Sequence, residues 1–228
     1  MSAPSKDRGL VIVGDSAFAE VAFEYFSRDS RYDVAAFAVE EAFLKRSELF
    51  GRPVVGFEGI YERYLPRDYD VYVATVYTQL NRLRTRLAST AKGMGYQLAS
   101  FVSQDAFVWP NVRLGQHCFV FEHNVIQPFV EIGNNVVLWS GNHIGHHSRI
   151  GDNVFLSSHV VISGFCDVGQ NCFFGVNASL ANNVTVARDC WIGPGATITQ
   201  DTKEGELYRG PAAEVAKVSA HRFFRIKE

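Results

Sequence analysis

An apolar residue recurs at every sixth position over the second half of this chain, and no slip interrupts the series. Glycine often follows it, as in IGNN, IGHH, IGDN, VGQN and IGPG. A period of six is typical of a parallel β-helix, in which short strands of successive coils bury one continuous core. The repeat therefore predicts a parallel β-helix over residues 101–228, ending in a C-terminal tail. The series consists of Leu114, Val120, Ile126, Ile132, Leu138, Ile144, Ile150, Leu156, Ile162, Val168, Phe174, Leu180, Val186, Ile192 and Ile198, and Val102 and Val108 extend it backward.

The same register explains the four cysteines, Cys118, Cys166, Cys172 and Cys190. Each lies four residues after an apolar repeat position, where most other hexads carry valine or alanine. A free cysteine at such a place behaves as a small hydrophobic side chain. The cysteines form no CxxC pair, so we predict buried thiols rather than metal ligands, nucleophiles or disulfides.

Residues 1–100 alternate apolar runs with helical patterns. The runs GLVIVG, YDVAAFAV and DYDVYVATV, together with residues 97–102, predict four strands. The segments AFAEVAFEYFSR, EGIYERYL and QLNRLRTRLASTAK predict the helices between them. Such alternation favours a parallel sheet with right-handed crossovers. We therefore expect a small Rossmann-like α/β domain ahead of the β-helix.

The turn VGDSAFAE joins the first predicted strand to the first helix, where folds of this kind hold phosphates on backbone N–H groups. Gly14, Asp15 and Ser16 are therefore candidates to bind a nucleotide. Glu40, at the end of the second strand, is placed to accept a hydrogen bond from a ribose. Only Gly14 remains of a G-x-G-x-x-G pattern, which argues against a nicotinamide cofactor. Two plainer interpretations stay open: Gly14 only permits the turn, and Glu40 lies in a solvated loop.

Charge and hydropathy bear on the partners. The net charge is −2, and the basic residues are spread along the chain, which argues against nucleic acid. No apolar run approaches the ~18 residues of a membrane span, and the opening MSAPSKDRGL lacks a signal peptide's apolar segment. We expect a cytoplasmic protein that acts on small molecules, without a membrane partner.

Four of the seven histidines lie between Leu138 and His159. By register, none of the β-helix histidines falls on an inward position, so we expect all of them outward or near corners, where a neighbouring subunit or a ligand can reach them. His123 and His159 lie two coils apart, roughly 10 Å. That separation is too large for one zinc ion, whose ligands sit ~2 Å away. We therefore predict no metal site.

The order of the two domains, with the β-helix ending in GELYRGPAAEVAK, resembles bacterial hexapeptide-repeat sugar-nucleotide acetyltransferases, which make N-acetylated 4-amino sugars such as bacillosamine and N-acetylperosamine. Sialic acid O-acetyltransferases share this layout. The likeness covers about residues 9 to 217. It implies a left-handed β-helix, a homotrimer with active sites shared between subunits, acetyl-coenzyme A as donor and a nucleotide-linked amino sugar as acceptor.

The resemblance also implies roles for individual residues. A histidine at hexad position three acts as general base in that family, and HIGHHSRIGD places His146 there. The next residue is commonly an acid but here is His147, so the candidate catalytic pair is His146 and His147. Trp139 stands where asparagine is frequent. The residues implied to hold coenzyme A are Gly164, Val176, Asn177, Gly193, Pro194 and Gly195.

Three functions are thus open. The first is N-acetylation of a nucleotide-linked amino sugar for surface glycan synthesis, by direct transfer and without a covalent enzyme intermediate. The second is O-acylation of a sugar or sialic acid on the same fold. The third is a non-catalytic trimeric scaffold whose α/β domain binds a nucleotide.

Overall fold

The computed structural model describes residues 6–226, which form an α/β domain and a left-handed parallel β-helix, as expected. The α/β domain holds one five-stranded sheet in the order β3-β4-β2-β1-β5, parallel except for the β3–β4 pair. Its elements are β1 (Arg8–Val13), α1 (Ala17–Arg28), β2 (Tyr32–Val39), a 3-10 turn (Glu41–Phe43), β3 (Glu48–Leu49), β4 (Arg52–Gly56), α2 (Ile60–Arg63), β5 (Tyr69–Val73) and α3 (Arg82–Gly93).

Two features of this sheet differ from the sequence prediction. The strand expected over residues 97–102 is wrong, because only Leu98 bridges to Val71 while Phe101–Val102 already pairs within the β-helix. The β3–β4 hairpin was not predicted. Its turn places Phe50 and Gly51 at positive φ, 50° and 69°, a conformation that is costly for phenylalanine and hard to foresee from sequence.

The β-helix consists of two-residue strands on three faces, which we number in chain order. Strands 18 residues apart pair within a face, except that the last strand of the first face lies 16 residues after its partner. The first face holds Phe101–Val102, Phe119–Val120, Val137–Leu138, Phe155–Leu156, Phe173–Phe174, Trp191–Ile192 and Leu207–Tyr208. The second holds Phe107–Val108, Val125–Ile126, His143–Ile144, Val161–Ile162, Ser179–Leu180 and Thr197–Ile198. The third holds Arg113–Leu114, Glu131–Ile132, Arg149–Ile150, Asp167–Val168 and Thr185–Val186. A short helix, α4 (Ala220–Phe223), follows the coils.

The core of the β-helix confirms the predicted register. The repeat residues from Val120 to Ile198 are buried, and so are all four cysteines, which are free thiols. Burial raises the pKa of Cys118 to about 11 and that of Cys172 to about 12, so neither is a thiolate at neutral pH.

The corners of the coils share one backbone conformation. From His117 to Gly195, hexad position four has a φ between 57° and 77°, the left-handed region. Asparagine, aspartate, histidine and glycine tolerate this region better than most residues, and they occupy most of these positions. We call the corner between the first and second faces the first corner, the next the second corner, and the one between the third and first faces the third corner.

The α/β domain packs on the first face through an aromatic interface. Phe18 and Phe26 of α1 contact Phe119, and Phe101 stacks on Phe119 with ring centroids 4.7 Å apart. The outward residues of this face recur every 18 residues and are aromatic except at Val137: Phe101, Phe119, Val137, Phe155, Phe173 and Trp191. Burial of these rings joins the two domains.

The third corner adds a polar attachment. His117, Asn135, Asn153, Asn171 and Asp189 are linked coil to coil by side-chain hydrogen bonds of 2.8 to 3.0 Å. Arg84 of α3, which is fully buried, donates to this ladder and to the carbonyls of Thr75 and Val76. Because all of its acceptors are neutral, desolvation dominates and lowers the pKa of Arg84 to about 10.

Candidate active site

The second corner carries the predicted catalytic pair. His146 and His147 are both exposed, and their Nδ1 atoms lie 3.1 Å apart. The backbone N–H of His146 donates to Gln127 Oε1 at 2.9 Å, which anchors the turn to the preceding coil. The Nδ1 contact leaves Nε2 as the nitrogen through which His146 could exchange a proton with a ligand.

Gly164 lies directly beneath this pair. A Cβ at Gly164 would come within 3.0 Å of the His146 ring, at Nε2 and Cε1. We expected this glycine to face a pantetheine chain, but it is buried and the imidazole covers it. The absence of a side chain here makes room for the His146 ring.

Two phenylalanines enclose His147. Its ring stacks between Phe129, at 4.6 Å and 27°, and Phe165, at 4.8 Å and 16°. Phe165 also meets the His146 ring edge-on at 5.1 Å. Since these residues follow one another at intervals of 18, the regular coil itself builds the stack.

The predicted nucleotide-binding residues meet at the carboxyl edge of the sheet. Gly14 has φ +127°, and a Cβ there would lie 2.8 Å from the Ala74 carbonyl oxygen, so the turn after β1 requires glycine. Its N–H donates to Ala38 at 2.7 Å and is therefore already used within the domain. Asp15 lies 3.4 Å from Arg46, and Ser16 is exposed at the start of α1.

Glu40 already has a partner of its own. Arg86 donates to both of its carboxylate oxygens, at 2.8 and 2.9 Å, and this lowers the pKa of Glu40. A ribose hydroxyl would therefore meet a carboxylate that is oriented but shared with a guanidinium group.

A cavity of about 250 Å³ lies where the loop after β5 meets the first face. Its aromatic residues are Tyr77, Trp139 and Phe155, and Ser157 and Ser158 add aliphatic hydroxyls. Trp139 also contacts Phe18 at the start of α1, 5.4 Å away, so the cavity adjoins the first helix. Val76 and Val176 complete the lining. Such a lining suits an uncharged ligand with an apolar surface and a few hydroxyls.

Most of the remaining predicted cofactor residues stack at the first corner. Val176, Asn177 and Pro194 are exposed, and the N–H of Gly195 donates to the Val176 carbonyl at 2.9 Å. Gly193 differs, because it is buried and a Cβ there would lie 2.7 Å from the Tyr208 carbonyl oxygen. The lack of a side chain at Gly193 lets the backbone of the last coil pack closely against it. Val176, which also lines the cavity, leaves exposed apolar surface beside it.

Within one chain, therefore, the predicted site lies in two places. The turn after β1, the cavity and the first corner are neighbours, whereas His146 and His147 lie at the second corner, across the width of the second face. Sequence reasoning missed Tyr77, Phe155 and Gln127. The recurrence of aromatic residues every 18 positions could have indicated Phe155, but nothing in the pattern marked the other two.

His117 lies at a corner, as expected, but the expectation that a ligand or a neighbouring subunit can reach it is wrong. It is buried under the α/β domain, where its Nε2 accepts from the Val73 N–H at 2.9 Å and its Nδ1 lies 2.8 Å from Asn135 Oδ1. The proton must therefore reside on Nδ1. Burial lowers the pKa of His117 to about 3, so the ring is neutral and structural.

Across residues 6–226, no group of three or more His, Cys, Asp or Glu side chains could together hold a metal ion. Over the same range, no helix is long and apolar enough to cross a membrane.

Comparison with known proteins supports the fold and the repeat. A family model of bacterial transferase hexapeptide repeats matches residues 129–164. No curated protein matches the chain by sequence.

Among solved structures, the acetyltransferase domain of PglB from Neisseria gonorrhoeae is 24% identical, with a TM-score of 0.78 over 89% of this chain and 97% of that domain. PerB from Caulobacter crescentus, solved with coenzyme A and GDP-perosamine, is 27% identical, with a TM-score of 0.75 over 87% of this chain and 92% of PerB. A mutant of the perosamine N-acetyltransferase from the same organism is 28% identical, with a TM-score of 0.77 over 89% of this chain and 93% of the other. The likeness thus extends over both domains.

Proposed function

We propose that the chain is a hexapeptide-repeat acyltransferase, and specifically an acetyl-coenzyme A-dependent N-acetyltransferase whose acceptor is the amino group of a nucleotide-linked amino sugar. The observation that carries this proposal is the exposed His146, seated on Gly164 with its Nδ1 engaged by His147. An imidazole held in this way, with one nitrogen free, is suited to act as a general base.

The acceptor side of the site is formed by the turn after β1 and the adjoining cavity. Gly14, Asp15 and Ser16 would contact the nucleotide, with Glu40 near the ribose. The aromatic cavity would receive the sugar ring, whose C–H face packs on Tyr77 and Trp139 while its hydroxyls reach Ser157 and Ser158. The protein with GDP-perosamine bound, PerB, shares this domain arrangement.

The donor side is the last two coils of the first corner. Val176, Asn177, Pro194 and Gly195 offer an exposed apolar strip that ends at the cavity. Structures similar to this chain have been solved with acetyl-coenzyme A or coenzyme A. The thioester supplies an activated acetyl group, so no covalent enzyme intermediate is needed once donor and acceptor are held together.

We infer that three copies complete each site. The second face separates the two halves of the site within one chain and exposes large apolar side chains, among them Phe107, Trp109 and Val161. Packing this face around a threefold axis would bury those side chains and bring the second corner of one copy beside the first corner of the next. His146 of one subunit would then serve the cavity of its neighbour.

The reaction balances without another reagent. The acceptor nitrogen attacks the thioester carbonyl carbon, a C–N bond forms and the C–S bond breaks. His146 Nε2 takes the proton that the nitrogen loses and passes it to the departing thiolate. The products are an N-acetylated sugar nucleotide and coenzyme A.

The decisive experiment measures thiol release from acetyl-coenzyme A with UDP-, GDP- and dTDP-linked 4-amino-6-deoxy sugars, each beside its 4-hydroxy counterpart. We expect release with one amino sugar and none with its hydroxy partner. Release with hydroxy sugars instead would assign O-acylation. Nucleotide binding without coenzyme A binding or thiol release would leave the chain a scaffold and overturn the proposal.

The shared site has its own test. His146→Ala and Val176→Glu are each expected to abolish turnover, because one removes the base and the other places a charge where the thioester binds. Unfolding and refolding the two variants together should restore activity in mixed oligomers, where some sites combine intact halves. Absence of any restoration, with mixed oligomers demonstrated by mass, would place both halves in one chain.

A further inference from the structure

We propose that His147 is a positioning residue that fixes the protonation state of His146, and that it must be neutral to do so. This inference rests on the proposed function, since it deepens the role of the same site. It starts from the 3.1 Å contact between the two Nδ1 atoms.

A contact between two ring nitrogens at this distance contains one hydrogen, so one ring donates and the other accepts. A neutral imidazole carries its proton on only one nitrogen. If His147 donates, then His146 accepts at Nδ1 and carries its proton on Nε2, where it blocks the base. If His147 accepts, the proton of His146 lies on Nδ1 and Nε2 is free. Only the second arrangement supports catalysis.

The surroundings of His147 hold its Nδ1 against His146. Phe129 and Phe165 sandwich the ring, which confines it to one plane. Its backbone has φ 58°, the corner conformation, and its N–H donates to the Pro128 carbonyl at 3.2 Å. His146 is fixed on its own side by Gly164 and by Gln127. Neighbouring residues therefore restrain both of the histidines that make the Nδ1 contact.

Within one chain, the pair has no charged hydrogen-bond partner among the described residues. Phe129 and Phe165 pack on the rings, Gln127 accepts from the His146 backbone N–H, and no described carboxylate is hydrogen-bonded to either ring. Protonation of His147 therefore has a direct consequence. A cationic His147 donates from both nitrogens, which reverses the hydrogen bond and moves the proton of His146 to Nε2. One proton on His147 thus switches the base off.

The chain offers an isosteric test of this idea. Nδ1 of histidine and Oδ1 of asparagine or aspartate are both attached to Cγ, so either replacement places an acceptor where Nδ1 now lies. Asparagine, aspartate and glycine all tolerate the positive φ of this corner. His147→Asn keeps a neutral acceptor, His147→Asp supplies a charged one, and His147→Gly removes the acceptor. His123→Asn is the matched control, because His123 is another exposed corner histidine, with φ 59°.

We expect His147→Gly to lower kcat about 10- to 100-fold with little change in KM, the usual cost of losing a group that orients a reactive side chain. His147→Asn and His147→Asp should keep kcat within about tenfold of the parent. The acid limb of the pH profile should lie at higher pH in His147→Asp than in His147→Asn, because a carboxylate stabilises the imidazolium form of His146. His123→Asn should match the parent throughout. Unchanged kcat in His147→Gly, or acid limbs that coincide in the two acceptor variants, would overturn the proposal.

A readout that does not need turnover separates this inference from the proposed function. Nitrogen NMR of the histidine rings of the full chain should show His146 protonated at Nδ1 in the parent and in His147→Asn. His147→Gly should shift it toward protonation at Nε2, the tautomer generally favoured by free imidazole side chains. A parent His146 protonated at Nε2 contradicts the positioning role even if the enzyme acetylates its acceptor. The expected tautomers without thiol release would instead count against the acetyltransferase proposal alone.

Discussion

His117 at the third corner and His147 at the second occupy equivalent places in the coil. Both stand at hexad position four, both have φ 58°, and both use Nδ1 in a side-chain contact. His117 is buried beneath α3 and β5, whereas His147 is exposed between two phenylalanine rings. The repeat therefore dictates the backbone of a corner, while the element that covers the corner decides its chemistry.

The third corner, which the α/β domain covers, forms part of the interface between the two domains. Arg84 and the asparagine ladder satisfy each other's hydrogen bonds in the interior, and the buried imidazole stays neutral. The uncovered corner keeps two imidazoles open to a ligand. A substitution at the covered corner should lower stability, whereas one at the exposed second corner should lower turnover. Four predictions test this difference.

The largest effect should come from removing the exposed base. His146→Ala is expected to lower kcat by about 1,000-fold, ~4 kcal/mol of transition-state stabilisation, since general-base catalysis contributes at most a few powers of ten. Steady-state thiol release measures this loss, and urea unfolding should show the parent's stability. A variant that turns over like the parent would remove His146 from the mechanism.

At the covered corner, Arg84→Met should lower the free energy of unfolding by about 3 kcal/mol, because several buried acceptors lose their donor. Urea titration at fixed protein concentration measures the change. Arg82→Met is the matched control on the same helix. It removes a half-exposed ion pair with Asp189 and should cost less than about 1 kcal/mol. Equal losses of unfolding free energy in the two variants would contradict the stabilising role of Arg84 at the domain interface.

Lowering the pH should reduce the unfolding free energy through His117 before the carboxylates become protonated. The pKa of His117 is lowered to about 3 in the folded chain, against ~6.5 when unfolded. Between these values the unfolded chain binds a proton that the folded chain does not, so stability falls as pH drops below about 6.5, by up to ~1.4 kcal/mol per unit. By pH 5 the loss should reach ~2 kcal/mol. Urea midpoints compared at pH 7.5 and pH 5 measure it, and His117→Asn should largely remove the slope.

The smallest effect should separate the two histidines directly. His117→Asn leaves the Val73 N–H buried without an acceptor and should cost about 1–2 kcal/mol at pH 7.5. His147→Asn, at an exposed corner of identical φ, should change stability by less than about 0.5 kcal/mol. Thermal unfolding of both variants makes the comparison. Similar shifts of the unfolding temperature in the two variants would show that burial under the α/β domain does not decide the stability cost of the substitution.

Much of the architecture could be predicted from the sequence. The period of six located the coils, and the register placed Cys118, Cys166, Cys172 and Cys190 in the core. These features are local, since each depends on the spacing of residues along one strand and its turn. The β3–β4 hairpin escaped prediction because Phe50 adopts a backbone conformation that its side chain does not favour.

The candidate site was less accessible to such reasoning. His146 could be named from its motif, but the seat that Gly164 provides for its ring depends on a residue 18 positions away in the next coil. Gly193 was expected to face a ligand, yet it lies against the backbone of the last coil. A glycine that faces a ligand and one that packs against a neighbouring coil look the same in the repeat. Only the atoms beside the glycine in the structure distinguish the two roles.

What the sequence determined by itself is the backbone: the two domains, the inward side chains and the left-handed corners, because these follow from short-range periodicity and side-chain size. What only the tertiary structure decided is which corner is buried. The docking of the α/β domain on the first face turned His117 into a neutral structural group and left His146 and His147 open. That choice depends on packing between residues far apart in the chain, such as Arg84 with Asn135 and Phe18 with Trp139, and no repeat encodes it.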